Sequence, residues 1–218
     1  MSAGSPEPPR VVIADDHPFY RSGLARSLRA HGIAVVGEAY NGASAIEAVR
    51  ETAPDVVVMD LNMPGVSGLE ATRRLVTDAP DIRILVLTVS AEESDLTEAI
   101  VAGACGYVLK DRPVAEVVAA IRAEAEGRSH ISAQLAMPLL RRLREPSGVQ
   151  VDLTGVDLEP LEHEVLRLVA AGMADHEIAD RLAIGPSEVR SHASAILAKL
   201  HPDKRVQAAL RASGKRRT

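Results

Sequence analysis

The 218 residues suit two small domains or one large one, and with 46% hydrophobic but only 2% aromatic residues any core must be aliphatic. The net charge of -5 gives no general argument for nucleic-acid binding, so a DNA-binding surface would have to be local. The single Cys105 excludes an intramolecular disulfide and a cysteine-based zinc site. No stretch approaches the roughly 18 apolar residues that a membrane span needs. Together these observations predict a cytoplasmic protein.

Apolar runs typical of buried strands alternate with helical patterns over the first part of the chain. Strands are predicted at Val11–Ala14, Ile33–Tyr40, Val56–Asp60, Ile82–Thr88 and Cys105–Leu109. Helices are predicted between and after them at Pro18–Ala30, Ala43–Thr52, Gly68–Thr77, Glu92–Ala102 and Val114–Glu126. This alternation predicts an α/β domain with a doubly wound, five-stranded parallel sheet over residues 10–127.

The composition changes after Gly127. Residues 128–156 contain Ser, Gly and Pro, and we interpret them as a linker with a possible short helix at Leu135–Leu143. From Leu158 the apolar spacing is helical, which predicts four helices at Leu161–Ala170, Asp175–Leu182, Ser187–Leu200 and Val206–Ala212. Two short helices joined by a tight turn are typical of a helix-turn-helix, so residues 157–213 are predicted to form an all-α domain of this type.

The apolar run Val56–Met59 ends abruptly in Asp60, and Pro64 and Gly65 turn the chain just beyond it. A carboxylate at the carboxyl end of a parallel strand lies on the rim where open α/β sheets bind their ligands. Alone, such an aspartate is a metal ligand, a nucleophile or a helix cap.

Charged or polar side chains also follow or end other predicted strands, namely Asp15, Asp16, Thr88 and Lys110. Because the ends of parallel strands meet at one edge, these side chains are expected to share one pocket with Asp60. Three crowded carboxylates repel one another unless a cation neutralises them, and oxygen ligands suit Mg²⁺. Taken singly, each residue is more often a turn former or a surface charge. Their conjunction favours an aspartate that accepts a phosphoryl group beside Mg²⁺ and a lysine.

These residues, with the stretches 60–68 and 106–110, resemble the receiver domain of a two-component response regulator. The helices from Leu158 to Leu210 resemble a LuxR-type helix-turn-helix, so the chain is similar to the NarL/FixJ subfamily. The resemblance implies a flavodoxin-like receiver whose Asp60 accepts phosphate from a cognate sensor histidine kinase. It also implies promoter DNA as a partner and a homodimer that depends on phosphorylation.

The resemblance further assigns roles to individual residues. Mg²⁺ would be held by Asp16, Asp60 and the backbone carbonyl of Asn62, with Asp15 acting largely through water. Thr88 would donate a hydrogen bond to the phosphoryl group, and Lys110 would pair with it. Tyr107 would be a switch residue that swings inward when Thr88 moves.

The DNA-reading helix is expected at about Ser187–Leu200, with its apolar stripe facing inward. Candidate DNA contacts are the polar and basic residues on its other face and just beyond it, namely Arg190, Ser191, Ser194, Lys199, Lys204 and Arg205. The plain alternative is a solvated helix face, which any surface helix has.

Several residues depart from the family pattern. Val89 follows Thr88 where the family usually has a smaller residue, which predicts narrower access to the phosphoryl group. In the helical domain Leu161 replaces Arg and Ala195 replaces Asn. Glu188 stands where the family generally has Thr, and a carboxylate at a helix N-terminus opposes a DNA phosphate.

The leading hypothesis is therefore a phosphorylation-controlled, DNA-binding transcription regulator that is not a turnover enzyme. One alternative is an atypical regulator whose helical domain binds protein in place of DNA, or acts independently of phosphorylation. Another is a phosphatase with an aspartate nucleophile. Against the latter, Asn62 stands two residues after Asp60, where such phosphatases commonly place an acid.

Overall fold

The computed structural model of the chain describes residues 7–90, 92–131, 136–137, 140 and 157–200, without the side chains of Glu93 and Leu200. The first part contains β1 (Arg10–Ala14), α1 (Pro18–Ala30), β2 (Ala34–Ala39), α2 (Gly42–Thr52), β3 (Val56–Met59), α3 (Gly68–Asp78), β4 (Arg83–Thr88), α4 (Glu93–Ala102), β5 (Gly106–Leu109) and α5 (Val114–Ala125). The strands form one parallel sheet in the order β2-β1-β3-β4-β5. This confirms the predicted doubly wound, flavodoxin-like fold.

The central strand β3 shows why the sheet is covered on both faces. Successive side chains of a strand point to opposite sides, so an apolar run needs an apolar partner on each. Val56 and Val58 pack into the cluster with α1 and α5, whereas Val57 and Met59 pack into the cluster with α2 and α3. Asp60 follows directly at the carboxyl end of this buried strand.

Helix α3 begins beside the loop that follows Asp60. Ser67 caps the helix, since its Oγ accepts the backbone N–H of Glu70 at 3.2 Å. The N–H of Gly68 donates to the carbonyl of Leu61 at 3.0 Å. A Cβ at position 68 would lie 1.7 Å from the carbonyl oxygen of Asp60, so only glycine permits this approach. The helix start therefore fixes the loop behind the carboxylate.

The last described part of the chain is helical, with α6 (Pro160–Ala170), α7 (Asp175–Leu182) and α8 (Pro186–Leu200). The apolar stripe predicted for α8 is buried at Val189, Ala193, Ile196 and Leu197. The predicted helix at Val206–Ala212 lies outside the described residues, and the possible helix at Leu135–Leu143 lies largely outside them. None of the described helices has the length and apolar character needed to span a membrane.

One buried apolar cluster extends from α4 and β5 through Ile131, Met137 and Leu140 to α6, α7 and α8. Ile131 forms a parallel backbone bridge with Tyr107, and the N–H of Tyr107 donates to the carbonyl of His130 at 2.8 Å. The chain leaving α5 therefore pairs with β5, which is the last strand of the sheet and would otherwise present unpaired backbone groups there.

Candidate functional site

Three strand ends bring Asp15, Asp60 and Lys110 together. Lys110 Nζ lies 2.7 Å from Asp15 Oδ2 and 2.7 Å from Asp60 Oδ2, so one ammonium bridges two carboxylates. Asp15 is 2% exposed and Asp60 is 4% exposed. The N–H of Asn62 donates to Asp60 Oδ1 at 3.3 Å, and the N–H of His17 donates to Asp15 Oδ1 at 2.9 Å. The predicted cluster therefore forms one buried, charged pocket.

The carboxylates fit a hard divalent cation. Ligand atoms of Asp15, Asp16, His17 and Asp60 all lie within 4.8 Å of one another. Asp16 Oδ1 is buried and accepts no hydrogen bond, although His17 Nδ1 lies 2.8 Å away outside hydrogen-bonding geometry. An orphaned carboxylate oxygen beside two buried carboxylates is the donor set that Mg²⁺ prefers. His17 directly follows Asp16 in the sequence but was not among the predicted metal ligands.

The charges of the pocket are strongly coupled. Burial raises the pKa of Asp60 and the charge of Asp15 adds to this, although Lys110 and the N–H of Asn62 act in the opposite direction. Burial alone would lower the pKa of Lys110, but its hydrogen bonds and charge interactions with Asp15 and Asp60 raise it. Lys110 therefore stays a cation at neutral pH and offsets part of the negative charge.

Thr88 and Tyr107 are both fully buried and share a neighbour that sequence reasoning missed. The N–H of Ser90 donates to Thr88 Oγ1 at 3.3 Å, and the Tyr107 hydroxyl donates to the carbonyl of Ser90 at 3.1 Å. Tyr107 thus lies inward here, and burial raises the pKa of its hydroxyl. Val89, between Thr88 and Ser90, is 77% exposed.

Tyr20 of α1 is a second residue that sequence reasoning missed. The Nζ atom of Lys110 lies 4.9 Å from the centroid of its ring. Burial raises the pKa of Tyr20 to about 12, with contributions from the charges of Asp15 and Asp60, so the ring is a neutral phenol. An aromatic residue at helical spacing predicts core packing, and Tyr20 does pack against the core beneath α1 and α5. Nothing in the sequence placed it beside Lys110.

In the helical domain, the residues predicted to contact DNA have varied surroundings. Ser191 is exposed and Arg190 is half-buried, whereas Lys204 and Arg205 lie outside the described residues. Lys199 Nζ lies 2.7 Å from Oε2 of the buried Glu162. The half-buried Ser194 donates its hydroxyl to the carbonyl of Ile131. Whether these residues contact DNA stays a prediction.

The side chain of Glu188 accepts a hydrogen bond at the start of its own helix. The N–H of Gly185 donates to Glu188 Oε2 at 2.7 Å, which is one half of a capping box. The same contact occurs in α7, where the N–H of Ala174 donates to Glu177 Oε2 at 2.7 Å. The glutamate that departs from the family pattern therefore caps the helix predicted to read DNA, and it places a carboxylate at the helix end that would otherwise attract a phosphate.

Family models match both parts of the chain. Residues 11–122 match the response regulator receiver domain, and residues 158–212 match the bacterial regulatory proteins of the luxR family. Among curated relatives, the transcriptional regulatory protein LiaR of Bacillus subtilis is 39% identical over 92% of this chain and 95% of its own. The nitrate/nitrite response regulator protein NarL of Escherichia coli is 37% identical over 94% of both chains.

Solved structures agree with this assignment. A LuxR-family response regulator from Aurantimonas sp. SI85-9A1 is 41% identical over 60% of this chain and 94% of its own, with a TM-score of 0.58. A structure of two RcsB dimers bound to two parallel DNAs is 26% identical over 97% of this chain and 100% of its own, with a TM-score of 0.57. The chain therefore belongs to the NarL/FixJ family of response regulators, in which a receiver domain is followed by a LuxR-type helix-turn-helix domain.

Proposed function

We propose that Asp60 is the phosphoacceptor of this response regulator and that its phosphorylation controls binding of the helical domain to promoter DNA. The observation that carries the proposal is the position of Asp60 at the end of β3, 2.7 Å from Lys110 Nζ and in one cluster with Asp15 and Asp16. A cognate sensor histidine kinase would supply the phosphoryl group. The phosphoaspartate would be a regulatory state and not a turnover intermediate.

An oxygen of Asp60 would attack the phosphorus of a phosphohistidine, forming an O–P bond as the N–P bond to the imidazole breaks. The Lys110 ammonium would then pair with a phosphoryl oxygen in place of the Asp60 oxygen. Thr88 would donate a hydrogen bond from its hydroxyl to a second phosphoryl oxygen. Asp16 and Asp60, with Asp15 and the carbonyl of Asn62, would hold Mg²⁺, which would neutralise further charge on the phosphoryl oxygens.

Mg²⁺-dependent labelling by radioactive acetyl phosphate tests the acceptor. We expect the wild-type chain to take label only with Mg²⁺, and Asp60→Asn to take none. Asp78→Asn is a matched control, because this carboxylate is exposed and lies at the last residue of α3, where it pairs with Arg50 at 2.8 Å. Label that persists in Asp60→Asn would overturn the assignment.

The helical domain would act as a dimer that places two recognition helices on two half-sites. The solved structure of RcsB dimers on DNA supports this arrangement by analogy. A competing possibility is that the helical domain docks on protein. The capping role of Glu188 favours it, as does the engagement of Ser194 and Lys199 with other residues of the chain.

Binding to DNA as a function of salt concentration separates these two functions. A DNA-binding domain releases counterions, so its affinity should fall steeply as salt rises, in proportion to the number of phosphates contacted. We expect the affinity for DNA to fall steeply with salt concentration in both states, and most steeply for the phosphorylated chain. Weak binding with a flat response to salt in both states would favour protein docking.

A further inference from the structure

Lys110 is the cation that the proposed phosphoryl transfer needs, and its position depends on what surrounds its ammonium group. A lysine carries a compact charge on a flexible stem, so its location is set by its partners. Two of these partners are Asp15 and Asp60, each 2.7 Å away. The third is the ring of Tyr20, with its centroid 4.9 Å from Nζ. This distance lies within the range of a cation–π contact.

The three partners differ in what happens to them during phosphorylation. Asp15 and Asp60 belong to the carboxylate cluster that fits a divalent cation, so a metal ion competes with Lys110 for both. Asp60 also changes its charge when it receives the phosphoryl group. The ring of Tyr20 binds neither Mg²⁺ nor phosphate, and its attraction for the ammonium is the same before and after transfer. Of these three contacts, it is the one that neither the metal nor the phosphoryl group would replace.

The surroundings of Tyr20 hold the ring in place. Tyr20 lies in the first part of α1 and packs against the buried cluster formed by α1, α5 and the sheet. Lys110 has a side chain that is 9% exposed, so little water reaches the ammonium. A cation–π contact is stronger when the cation is shielded from water in this way.

We propose that Tyr20 is a positioning residue for the phosphoryl-transfer site, whose ring keeps the Lys110 ammonium at the end of β5 when the metal and the phosphoryl group take over the two carboxylates. This inference rests on the proposed function. Tyr20 acts through Lys110 and needs no contact with the phosphoryl group itself.

The test compares Tyr20→Phe, Tyr20→Leu and Phe19→Leu in the full chain. Tyr20→Phe keeps the ring, whereas Tyr20→Leu replaces it with an aliphatic side chain. Phe19 is the matched control, since it is the neighbouring aromatic residue of α1 and is 92% exposed. For each chain we would measure the rate of labelling by acetyl phosphate at saturating Mg²⁺, the Mg²⁺ dissociation constant by calorimetry, and the thermal unfolding midpoint.

We expect Tyr20→Leu to label about three- to tenfold more slowly than wild type, as the loss of one shielded cation–π contact implies. Tyr20→Phe and Phe19→Leu should label at the wild-type rate. The Mg²⁺ affinity of Tyr20→Leu should be equal to that of wild type or higher, because a loosened lysine competes less well for the carboxylates. A general packing defect would instead weaken metal binding and labelling together.

Three results would overturn the role of Tyr20 while leaving the phosphoacceptor in place. These are wild-type labelling by Tyr20→Leu, equally slow labelling by Tyr20→Phe and Tyr20→Leu, and a parallel loss of labelling and Mg²⁺ affinity in Tyr20→Leu. A wild-type chain that takes no label would instead overturn the proposed function, and the role of Tyr20 with it.

Discussion

Lys110 lies between two buried carboxylates, and this determines how the pocket responds to a metal ion. Without the lysine, Asp15 and Asp60 would be two negative charges enclosed in one pocket, each almost inaccessible to water. Removing one partner of a buried ion pair leaves an uncompensated charge and is strongly destabilising. A divalent cation held by these carboxylates would therefore offset the same negative charge as the lysine does.

Replacing Lys110 with Met should lower the free energy of unfolding by about 3 kcal/mol in the absence of Mg²⁺, and Mg²⁺ should restore much of the loss. Denaturation of the receiver by urea, in EDTA and in Mg²⁺, measures both values. Arg50→Ala is the control, since it breaks the exposed pair with Asp78 and should cost no more than about 0.5 kcal/mol in either condition. Equal losses with and without Mg²⁺ in Lys110→Met would show that Mg²⁺ does not offset this charge.

Among the secondary-structure elements, α5 is tied to β4 and to the outgoing chain by one buried carboxylate. Glu124 Oε2 accepts Arg83 Nη2 at 2.7 Å and Nε at 3.0 Å, and Glu124 Oε1 accepts the N–H of His130 at 3.1 Å. A Cβ on Gly106 would lie 2.5 Å from Glu124 Oε1, so β5 carries a glycine where the carboxylate passes. Burial raises the pKa of Glu124 to about 7, against the opposing influence of Arg83.

This pKa predicts a pH dependence of stability. Glu124 takes up a proton more readily in the folded state, so its contribution is complete below about pH 4.5 and is lost as the pH rises through about 7. The unfolding free energy of wild type relative to Glu124→Gln should thus fall by about 2 kcal/mol between pH 5 and pH 8. Chemical denaturation across this range measures the difference.

Neighbouring groups require a control in that experiment. Burial lowers the pKa of His130, which faces Glu116, so its titration acts in the opposite direction, and burial raises the pKa of Cys105 nearby. Both groups remain in Glu124→Gln, and the difference from wild type therefore isolates Glu124 to first order. Glu126→Gln alters an exposed carboxylate on the same turn and retains Glu124, so it is the matched control variant.

Helix α8 begins with a carboxylate that both stabilises it and opposes an anion. Glu188→Thr should lower domain stability by about 1 kcal/mol, because the N–H of Gly185 loses its partner, and should raise DNA affinity. Gel-shift titration at several salt concentrations gives the affinity. Glu177→Thr removes the same charge and the same kind of cap from α7, so it is the matched variant. A gain of affinity as large in Glu177→Thr would show that net charge is responsible.

Over the whole molecule, helix α8 contacts the receiver side of the chain through Ser194. This residue donates to the carbonyl of Ile131, which is itself paired with Tyr107 of β5. The buried apolar cluster continues through the same region. In this arrangement the hydroxyl of Ser194 is used within the chain and is not available to a DNA phosphate.

Ser194→Ala should therefore raise the DNA affinity of the unphosphorylated chain by about threefold to fivefold, as the loss of one hydrogen bond within the chain implies. Ser191→Ala is the control, because the Ser191 hydroxyl donates within its own helix to Ser187 at 3.0 Å and should give no gain. Fluorescence anisotropy with labelled promoter DNA measures both. A loss of affinity in Ser194→Ala would instead identify Ser194 as the DNA contact that the sequence predicts.

The sequence predicted the sheet and the charged pocket because both follow from local patterns. An apolar run ending in Asp60 identifies a strand end, and the parallel topology brings Lys110 to the same edge. It did not predict the contact of Tyr20 with Lys110, since an aromatic residue on a helix signals only core packing. It also missed the ion pair of Glu162 with Lys199, because the pairing of residues on two different helices depends on how those helices pack.

A series of hydrogen bonds runs from Thr88 through Ser90 and Tyr107 to His130, and a further bond joins Ile131 to Ser194. These hydrogen bonds have one property in common. Each has a backbone N–H or carbonyl as donor or acceptor. Ser90, His130 and Ile131 contribute only main-chain atoms to it, so alanine at positions 90 and 130 should leave the chain of hydrogen bonds intact. Proline at position 90, which has no N–H, would remove the first of them. The connection between Thr88 and helix α8 therefore does not depend on which side chains stand at positions 90 and 130, whereas Ile131 is also held by its place in the buried apolar cluster.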